Sequence, residues 1–122
     1  MQQYLDIFKA LSDRNRLRIL LMLKTRPLCV CEISEVLNIA LSTISSHLKI
    51  LKNTGLIEDE KDGRWVIYRL TGGNAFCDEI LRSVTEHIKS NSEIVRDMKI
   101  ASKISRESCA LKLKEKPYGE QE

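Results

Sequence analysis

Residues 30–56, "VCEISEVLNIALSTISSHLKILKNTGL", contain two short helical patterns separated by the break "NIA" at residues 38–40. Apolar residues recur at intervals of three and four on both sides of the break, which predicts one helix from about residue 30 to 37 and a second from about 41 to 53. Gly55 then supplies the left-handed residue that commonly ends a helix. The inward-facing residues are Ile33, Val36, Leu37, Ile44, Leu48 and Leu51. The stretch therefore predicts a helix, a tight turn and a second helix.

Residues 56–70, "LIEDEKDGRWVIYRL", change from a helical period to the period of a strand. Ile57, Trp65 and Ile67 alternate with other side chains around the dipeptide "DG", which favours a hairpin with a two-residue loop. A helix pair followed by a hairpin is the winged helix-turn-helix arrangement. In it, the second helix can lie in the major groove of DNA while the hairpin contacts the backbone or minor groove beside it.

Helical patterns also flank this region on both sides. Tyr4 to Leu11 forms one such pattern, and Asp13 can cap a second helix behind it. After the hairpin, an apolar stripe runs from Phe76 to Ile104, and the capping-box spacing of Ser90 and Glu93 leaves open whether this segment is one helix or two. The predicted fold class is mainly α with a small β-hairpin.

Composition favours one soluble, helix-rich domain. The 122 residues are 43% hydrophobic, 30% charged and 5% aromatic. We predict a domain at residues 1–106 and a polar, flexible tail at 107–122. The chain carries no apolar run long enough to span a bilayer, and its first residues are amphipathic, unlike a signal sequence. We therefore expect a cytoplasmic protein, without a membrane partner, whose four cysteines act as ligands, sensors or core residues rather than structural disulfides.

The second helix of the pair and the hairpin carry side chains suited to DNA. Hydroxyl groups can exchange hydrogen bonds with base edges or phosphates, and basic groups can neutralise phosphates. The net charge of +3 permits such binding without requiring it. The predicted DNA-contacting residues are Ser42, Thr43, Ser45, Ser46, His47, Lys49, Lys52, Lys61 and Arg64. The alternatives are a solvated helix face for the hydroxyls and half-buried packing for His47.

Four runs of the sequence resemble the ArsR/SmtB family of metal-responsive repressors. The runs are "FKALSDRNRLRIL" at 8–20, "LCVCEI" at 28–33, "ISSHLKILKNTGLI" at 44–57 and "DGRWVIYRL" at 62–70. The resemblance covers about residues 4–71, and "LCVCEI" is similar to the Cys-Val-Cys box of the arsenic-repressor type. It implies a homodimeric winged-helix repressor, assembled through its first and carboxy-terminal helices. Such a protein occupies double-stranded operator DNA and leaves when a metalloid or soft metal binds.

Cys29 and Cys31 are the central candidates for this sensing role. Side chains two residues apart lie about 200° apart around an ideal helix. We therefore expect the first turn to be irregular, or to unwind, when both sulfurs hold one ion at about 2.3 Å. Thiolates suit arsenite, antimonite, cadmium, lead or zinc better than hard ions. We predict a repressor released by trivalent arsenic or antimony, with a cadmium, lead or zinc sensor as the alternative.

The sequence departs from the resembled pattern at two positions. Arsenic repressors of the best-known kind carry a third cysteine three residues after the second, where this chain has Ser34. Either two thiolates suffice or a third comes from elsewhere; we predict Cys109, in the segment "SRESCALK", and place Cys77 in the core. At the other position, many relatives cap the second helix with serine where this chain has Ala40. The missing cap should cost about 1 kcal/mol.

Other functions are less well supported by the residues. A disulfide-based redox switch would need a partner chain or Cys109, because a disulfide between Cys29 and Cys31 would close a strained ring. An enzyme would need a cysteine activated by a histidine, and His47 and His87 are both expected on other faces. His87 also lacks the paired acid and histidine spacing of the family's zinc site. We predict that the chain is not an enzyme, and a protein-interaction module remains an alternative to DNA binding.

Overall fold

The computed structural model describes residues 1–109, so most of the predicted tail, residues 110–122, lies outside the described residues. The elements in chain order are α1 (Gln2–Leu11), α2 (Arg14–Thr25), β1 (Leu28–Cys29), α3 (Val30–Leu37), α4 (Leu41–Asn53), β2 (Ile57–Asp62), β3 (Trp65–Leu70), α5 (Ala75–Ile88) and α6 (Ser92–Lys103). This order confirms the predicted winged helix-turn-helix. The domain boundary at residue 106 stays a prediction, although residues 106–109 are helical.

The helix pair α3 and α4 is held by a tight turn. Asn38 ends α3 in the left-handed conformation, with φ 56° and ψ 48°. The buried Ser34 hydroxyl donates to the Ile39 carbonyl at 2.6 Å and so fixes the turn from inside. Ala40 precedes α4 and contributes no side-chain cap, as the sequence predicted. The serine at the position of the third family cysteine therefore has a structural role here.

A three-stranded antiparallel sheet with strand order β1-β3-β2 forms the wing and its base. The hairpin of β2 and β3 pairs from Ile57 with Leu70 to Asp62 with Trp65. Its two-residue loop is therefore Gly63-Arg64, one position later than "DG", and Gly63 has a positive φ of 63°. The sequence did not predict β1, in which Cys29 pairs with Ile67 of the wing. This pairing joins the cysteine pair directly to the wing.

The helices on either side of the wing domain differ from expectation at one cap. Asp13 accepts from the Arg16 N–H at 3.0 Å, which confirms the predicted cap of α2. The apolar stripe after the wing is broken into two helices, α5 and α6. The predicted capping box at Ser90 is wrong, because Asn91 caps α6 and accepts from the N–H groups of Glu93 and Ile94 at 3.0 and 3.2 Å.

One apolar core lies beneath these elements, with a buried ion pair that fastens α6 to α2. Ile19, Leu20, Ile33, Ile44 and Leu48 are among its fully buried members. Arg18 donates to both carboxylate oxygens of Asp97, at 2.7 and 3.0 Å. Because both partners are buried, the pair fixes the position of α6 against α2. This arrangement brings the end of α6 next to the N-terminus of α3.

Candidate functional site

The Cys29 and Cys31 thiols lie side by side, with their sulfur atoms 3.0 Å apart. Cys29 has an extended backbone, with φ −91° and ψ 166°, and precedes the first residue of α3. The expectation that the two side chains point away from each other is therefore wrong, because only Cys31 lies within the helix. The first turn does not need to unwind for the two sulfurs to approach one ion.

Glu32 organises this N-terminus, and the sequence reasoning did not identify it. Its carboxylate accepts from the Cys29 N–H at 2.9 Å and from Arg26 Nη2 at 2.7 Å. Its own N–H donates to the Cys29 sulfur. This is the reciprocal arrangement of a capping box, with a thiol in place of the usual hydroxyl. The spacing Cys-x-x-Glu, which matches that of a capping box, is the sequence signal from which the role of Glu32 could have been predicted. The carboxylate is buried, so it holds Cys29 in a fixed position.

Cys109 joins the same neighbourhood from the other end of the chain. It is only 3% exposed, and its N–H donates to the Ser105 carbonyl at 3.1 Å within a helical turn. Its thiol is near enough to Cys31 for that side chain to lower the pKa of Cys109. Residue 109, which the sequence predicts to lie in the flexible tail, is thus helical and buried in the structure. Cys77 lies apart, buried in the core at the start of α5, as the sequence predicted.

The surroundings of Cys29 and Cys109 favour the protonated form of both thiols. The hydrogen bond to Cys31 and burial raise the pKa of Cys29 far above its usual range. Burial raises the pKa of Cys109 to about 11, despite the opposing effect of Cys31. Within residues 1–109, no three His, Cys, Asp or Glu side chains already form an arrangement that could hold a metal ion. Binding through all three sulfurs would therefore require a local shift of Cys109.

Most of the predicted DNA-contacting residues lie on one exposed surface formed by α4 and the wing. Its exposed members are Ser42, Thr43, Ser45, Ser46, Lys49, Lys61 and Arg64. Four of the predicted contacts also have protein partners, of which the first is the Ser46 hydroxyl, which donates to the Ser42 carbonyl at 3.1 Å. Lys52 forms an ion pair with Asp59 at 3.0 Å, and half-buried His47 lies 3.3 Å from Arg16 through Nδ1. Arg64 stacks on the ring of Trp65, with Cζ 4.7 Å from the ring centroid.

A second exposed surface is apolar and lies on α1 and the start of α5. Tyr4, Leu5 and Phe8 are between 44% and 49% exposed. Phe76 makes edge-to-face contacts with the rings of Tyr4 and Phe8, at centroid distances of 4.9 and 6.0 Å. These rings form a rigid apolar surface of the kind that marks a protein interface. His87 is exposed on α5, where Nδ1 lies 2.8 Å from the Ser83 carbonyl oxygen.

An exposed helix beside a two-stranded wing defines a winged helix-turn-helix protein. Comparison with known proteins identifies the family. Residues 13–59 match the model of bacterial regulatory proteins of the arsR family. An uncharacterized helix-turn-helix transcriptional regulator of Methanocaldococcus jannaschii is 39% identical over 82 residues, which cover 66% of this chain and 90% of that protein. The chain therefore belongs to the ArsR family.

Two relatives with named inducers match a shorter region. The arsenical resistance operon repressor of Escherichia coli K12 is 43% identical over 68 residues, covering 55% of this chain and 58% of that protein. The cadmium resistance regulator CadC of Listeria innocua is 42% identical over 62 residues, covering 50% and 52%. The chain thus spans a little over half the length of these relatives.

Solved structures show the same fold. HlyU from Vibrio cholerae aligns with a TM-score of 0.66 at 27% identity, covering 73% of this chain and 95% of that one. A homodimeric winged helix-turn-helix DNA-binding domain from Mycobacterium bovis aligns with a TM-score of 0.64 at 27% identity, covering 75% and 82%. The chain shares its family with transcriptional regulators, among them the Escherichia coli repressor and the Methanocaldococcus jannaschii regulator, which confirms the prediction that the chain is not an enzyme. No helix within residues 1–109 is long and apolar enough to cross a membrane.

Proposed function

We propose that this protein is a homodimeric repressor that binds operator DNA and dissociates when trivalent arsenic or antimony binds Cys29, Cys31 and Cys109. The single observation that carries the proposal is the convergence of these three thiols at the N-terminus of α3. Two of them are 3.0 Å apart, and the third is buried near enough to Cys31 for that thiol to lower its pKa. This site adjoins both the helix pair and the wing.

The thiol geometry is close to what a soft ion requires. Two sulfurs bound at about 2.3 Å in tetrahedral geometry lie about 3.8 Å apart. The Cys29 and Cys31 sulfurs therefore need to separate by less than about 1 Å. Trivalent arsenic favours three thiolates, and Cys109 is the candidate for the third. Ser34 is not required as a ligand, because its hydroxyl is already engaged with the Ile39 carbonyl.

DNA binding is assigned to the exposed surface of α4 and the wing. Ser42, Thr43, Ser45 and Ser46 are exposed toward one side of α4, where they can reach base edges or phosphates. Lys49, Lys61 and Arg64 are exposed and supply positive charge for phosphates, Arg64 from its position over the Trp65 ring. Lys52 and His47 are weaker candidates because each already has a protein partner. A symmetric dimer predicts half-sites about 10 to 10.5 base pairs apart, or a multiple of that spacing.

Two alternative inducers keep the same architecture. A cadmium, lead or zinc ion would use the same soft ligands, and a cadmium resistance regulator is among the relatives of this chain. The other alternative is oxidation of Cys31 and Cys109 to a disulfide, which the nearness of these two thiols supports. Each alternative predicts a different releasing agent, so one experiment separates them.

The test is fluorescence anisotropy of the reduced protein on a labelled fragment of its own promoter. Arsenite or antimonite should release the wild-type protein, and Cys29→Ser/Cys31→Ser should bind DNA normally but resist release. Cys109→Ser should require much more arsenite, whereas the matched control Cys77→Ser should behave as wild type. Release by cadmium or zinc, but not by arsenite or antimonite, would identify a divalent metal as the inducer. Release only by an oxidant would favour a disulfide switch. Undiminished release of the double variant would exclude the cysteine pair as the sensor.

A further inference from the structure

The segment that carries Cys109 also contacts the tip of the wing through Arg106. Arg106 lies one helical turn before Cys109, in the helical residues 106–109. Its Nη1 forms an ion pair with Asp62 at 2.8 Å, at the end of β2. Its Cζ also lies 4.8 Å from the ring centroid of Trp65, which begins β3. One guanidinium therefore contacts both strands beside the wing loop.

This contact determines the charge that the wing presents. Four carboxylates lie along β2, and three of them have partners within the wing or α4. Arg69 pairs with Glu58 and Glu60 at 3.8 and 2.9 Å, and Lys52 pairs with Asp59. The fourth, Asp62, receives Arg106 from the C-terminal segment. Asp62 directly precedes the wing loop that carries Arg64, so its unpaired charge would repel DNA phosphates.

The base of the same segment is tied to the cysteine site by Arg26. Arg26 donates to the backbone carbonyls of Ala101, at 3.1 Å, and Ile104. It also donates to Glu32, whose carboxylate accepts from the Cys29 N–H. A continuous set of contacts therefore runs from the cysteine pair through Arg26 to the segment that holds the wing.

There is room for this segment to shift. A cavity of about 340 Å³ lies between the wing, the start of α3 and residues 104–107, and Glu32, Ile67 and Arg106 contribute to its lining. Since the three thiols do not yet form a complete ion site, ligand binding would draw Cys109 toward the other two. Arg106 is on the same helical turn, so that movement would strain its contacts with Asp62 and Trp65.

We propose that Arg106 is a positioning residue whose contacts with Asp62 and Trp65, here called the clasp, hold the wing in its DNA-binding state. Binding of the inducer at Cys109 breaks these contacts and so opens the clasp. The proposal rests on the proposed function. With the clasp closed, Arg106 neutralises Asp62 and fixes Trp65. With the clasp open, Asp62 is left without a partner beside the wing loop and the wing loses a support. Both changes weaken DNA binding, so the inducer and the DNA favour opposite states of one contact.

The test uses the full chain and two readouts, DNA anisotropy and the fluorescence of Trp65, the only tryptophan in the sequence. Arg106→Gln should weaken DNA binding by up to about fivefold without inducer, the range of an exposed ion pair. Adding Asp62→Asn to Arg106→Gln should restore that affinity, because the unpaired carboxylate is then gone. Arg69→Gln is the matched control, since it makes the same charge change on the wing without touching the C-terminal segment.

The response to arsenite separates the clasp from the proposed function. Wild type and Arg69→Gln should lose at least about tenfold in DNA affinity with arsenite and change their Trp65 emission even without DNA. Arg106→Gln should start from its weaker affinity, lose up to about fivefold less than wild type with arsenite, and show no change in emission. If Arg106→Gln responds to arsenite as fully as wild type does, the clasp is overturned and the proposed function stands. If wild type itself stays on DNA with arsenite, the proposed function fails, and the inducer-driven opening fails with it.

Discussion

At the scale of single residues, the chemistry of the site depends on how two buried thiols and half-buried Cys31 are positioned. Cys29 caps α3 from an extended backbone, and this places its sulfur beside that of Cys31. The sequence identified the pair and Cys109 as candidates. The sequence did not predict that the two sulfurs lie close together. The angle of about 200° applies only when both residues lie within the helix, and Cys29 precedes it. Because α3 begins one residue after Cys29, the two side chains lie side by side and do not point apart.

The raised pKa values of Cys29 and Cys109 predict a difference in pH dependence between the candidate inducers. A divalent cation must displace the thiol protons, so cadmium affinity should rise up to about tenfold per pH unit for each proton released between pH 6 and 8. Arsenous acid is neutral in this range, and its hydroxides leave as water with the thiol protons. Arsenite affinity should therefore be nearly independent of pH. The measurement is a competition titration at pH 6, 7 and 8.

In that titration, Cys77→Ser should leave both profiles unchanged, because Cys77 lies in the core away from the site. A cadmium affinity that stays flat from pH 6 to 8 would contradict protonated thiols in the free protein. An arsenite affinity that rises tenfold per pH unit would contradict a reaction in which water carries the protons away.

At the scale of secondary structure, strong local patterns were predictable and tertiary pairings were not. The bounds of α4 at residues 41 and 53 agree with the sequence pattern. β1 was missed because a strand of two residues, Leu28 and Cys29, is too short to show a period. The cap at Asn91 was assigned to Ser90, since both residue types cap helices and spacing alone does not choose between them. Burial of Cys109 depends on contacts with distant residues, which a polar local sequence cannot reveal.

The uncapped start of α4 predicts a stabilising substitution. Ala40→Ser should raise the free energy of unfolding by about 1 kcal/mol, because a serine hydroxyl can accept from a backbone N–H that now has no side-chain partner. Thermal unfolding should show this as an increase in Tm of about 4–8 °C. Ala40→Val is the matched control, which adds volume without an acceptor and should give no increase. Equal effects of the two substitutions would contradict the capping explanation.

At the scale of the whole molecule, the described residues form a single winged domain with two separate exposed surfaces. The surface of α4 and the wing is polar, whereas that of α1 and the start of α5 is apolar and aromatic. A small domain that exposes aromatic rings in a cluster gains by pairing them with a second copy. The resemblance to the family implied dimerisation through the first and carboxy-terminal helices, and the exposed rings of Tyr4 and Phe8, packed on half-buried Phe76 of α5, give a physical reason for it.

Dimerisation through this surface can be tested by placing a charge on it. Phe8→Glu should convert the dimer to a monomer in sedimentation velocity, and DNA affinity should fall at least about tenfold because one monomer reads only one half-site. Thr25→Glu is the control, since it adds the same charge at an exposed position at the end of α2, outside the first and carboxy-terminal helices. A Phe8→Glu variant that remains dimeric would place the interface elsewhere.

The central claim is that Cys29, Cys31 and Cys109 together bind the inducer, and X-ray absorption at the arsenic edge tests it most directly. The arsenite-loaded wild-type protein and the Cys77→Ser control should show three sulfur neighbours around arsenic, and Cys109→Ser should show two. Two sulfur neighbours in the wild type, or three retained in Cys109→Ser, would contradict the claim.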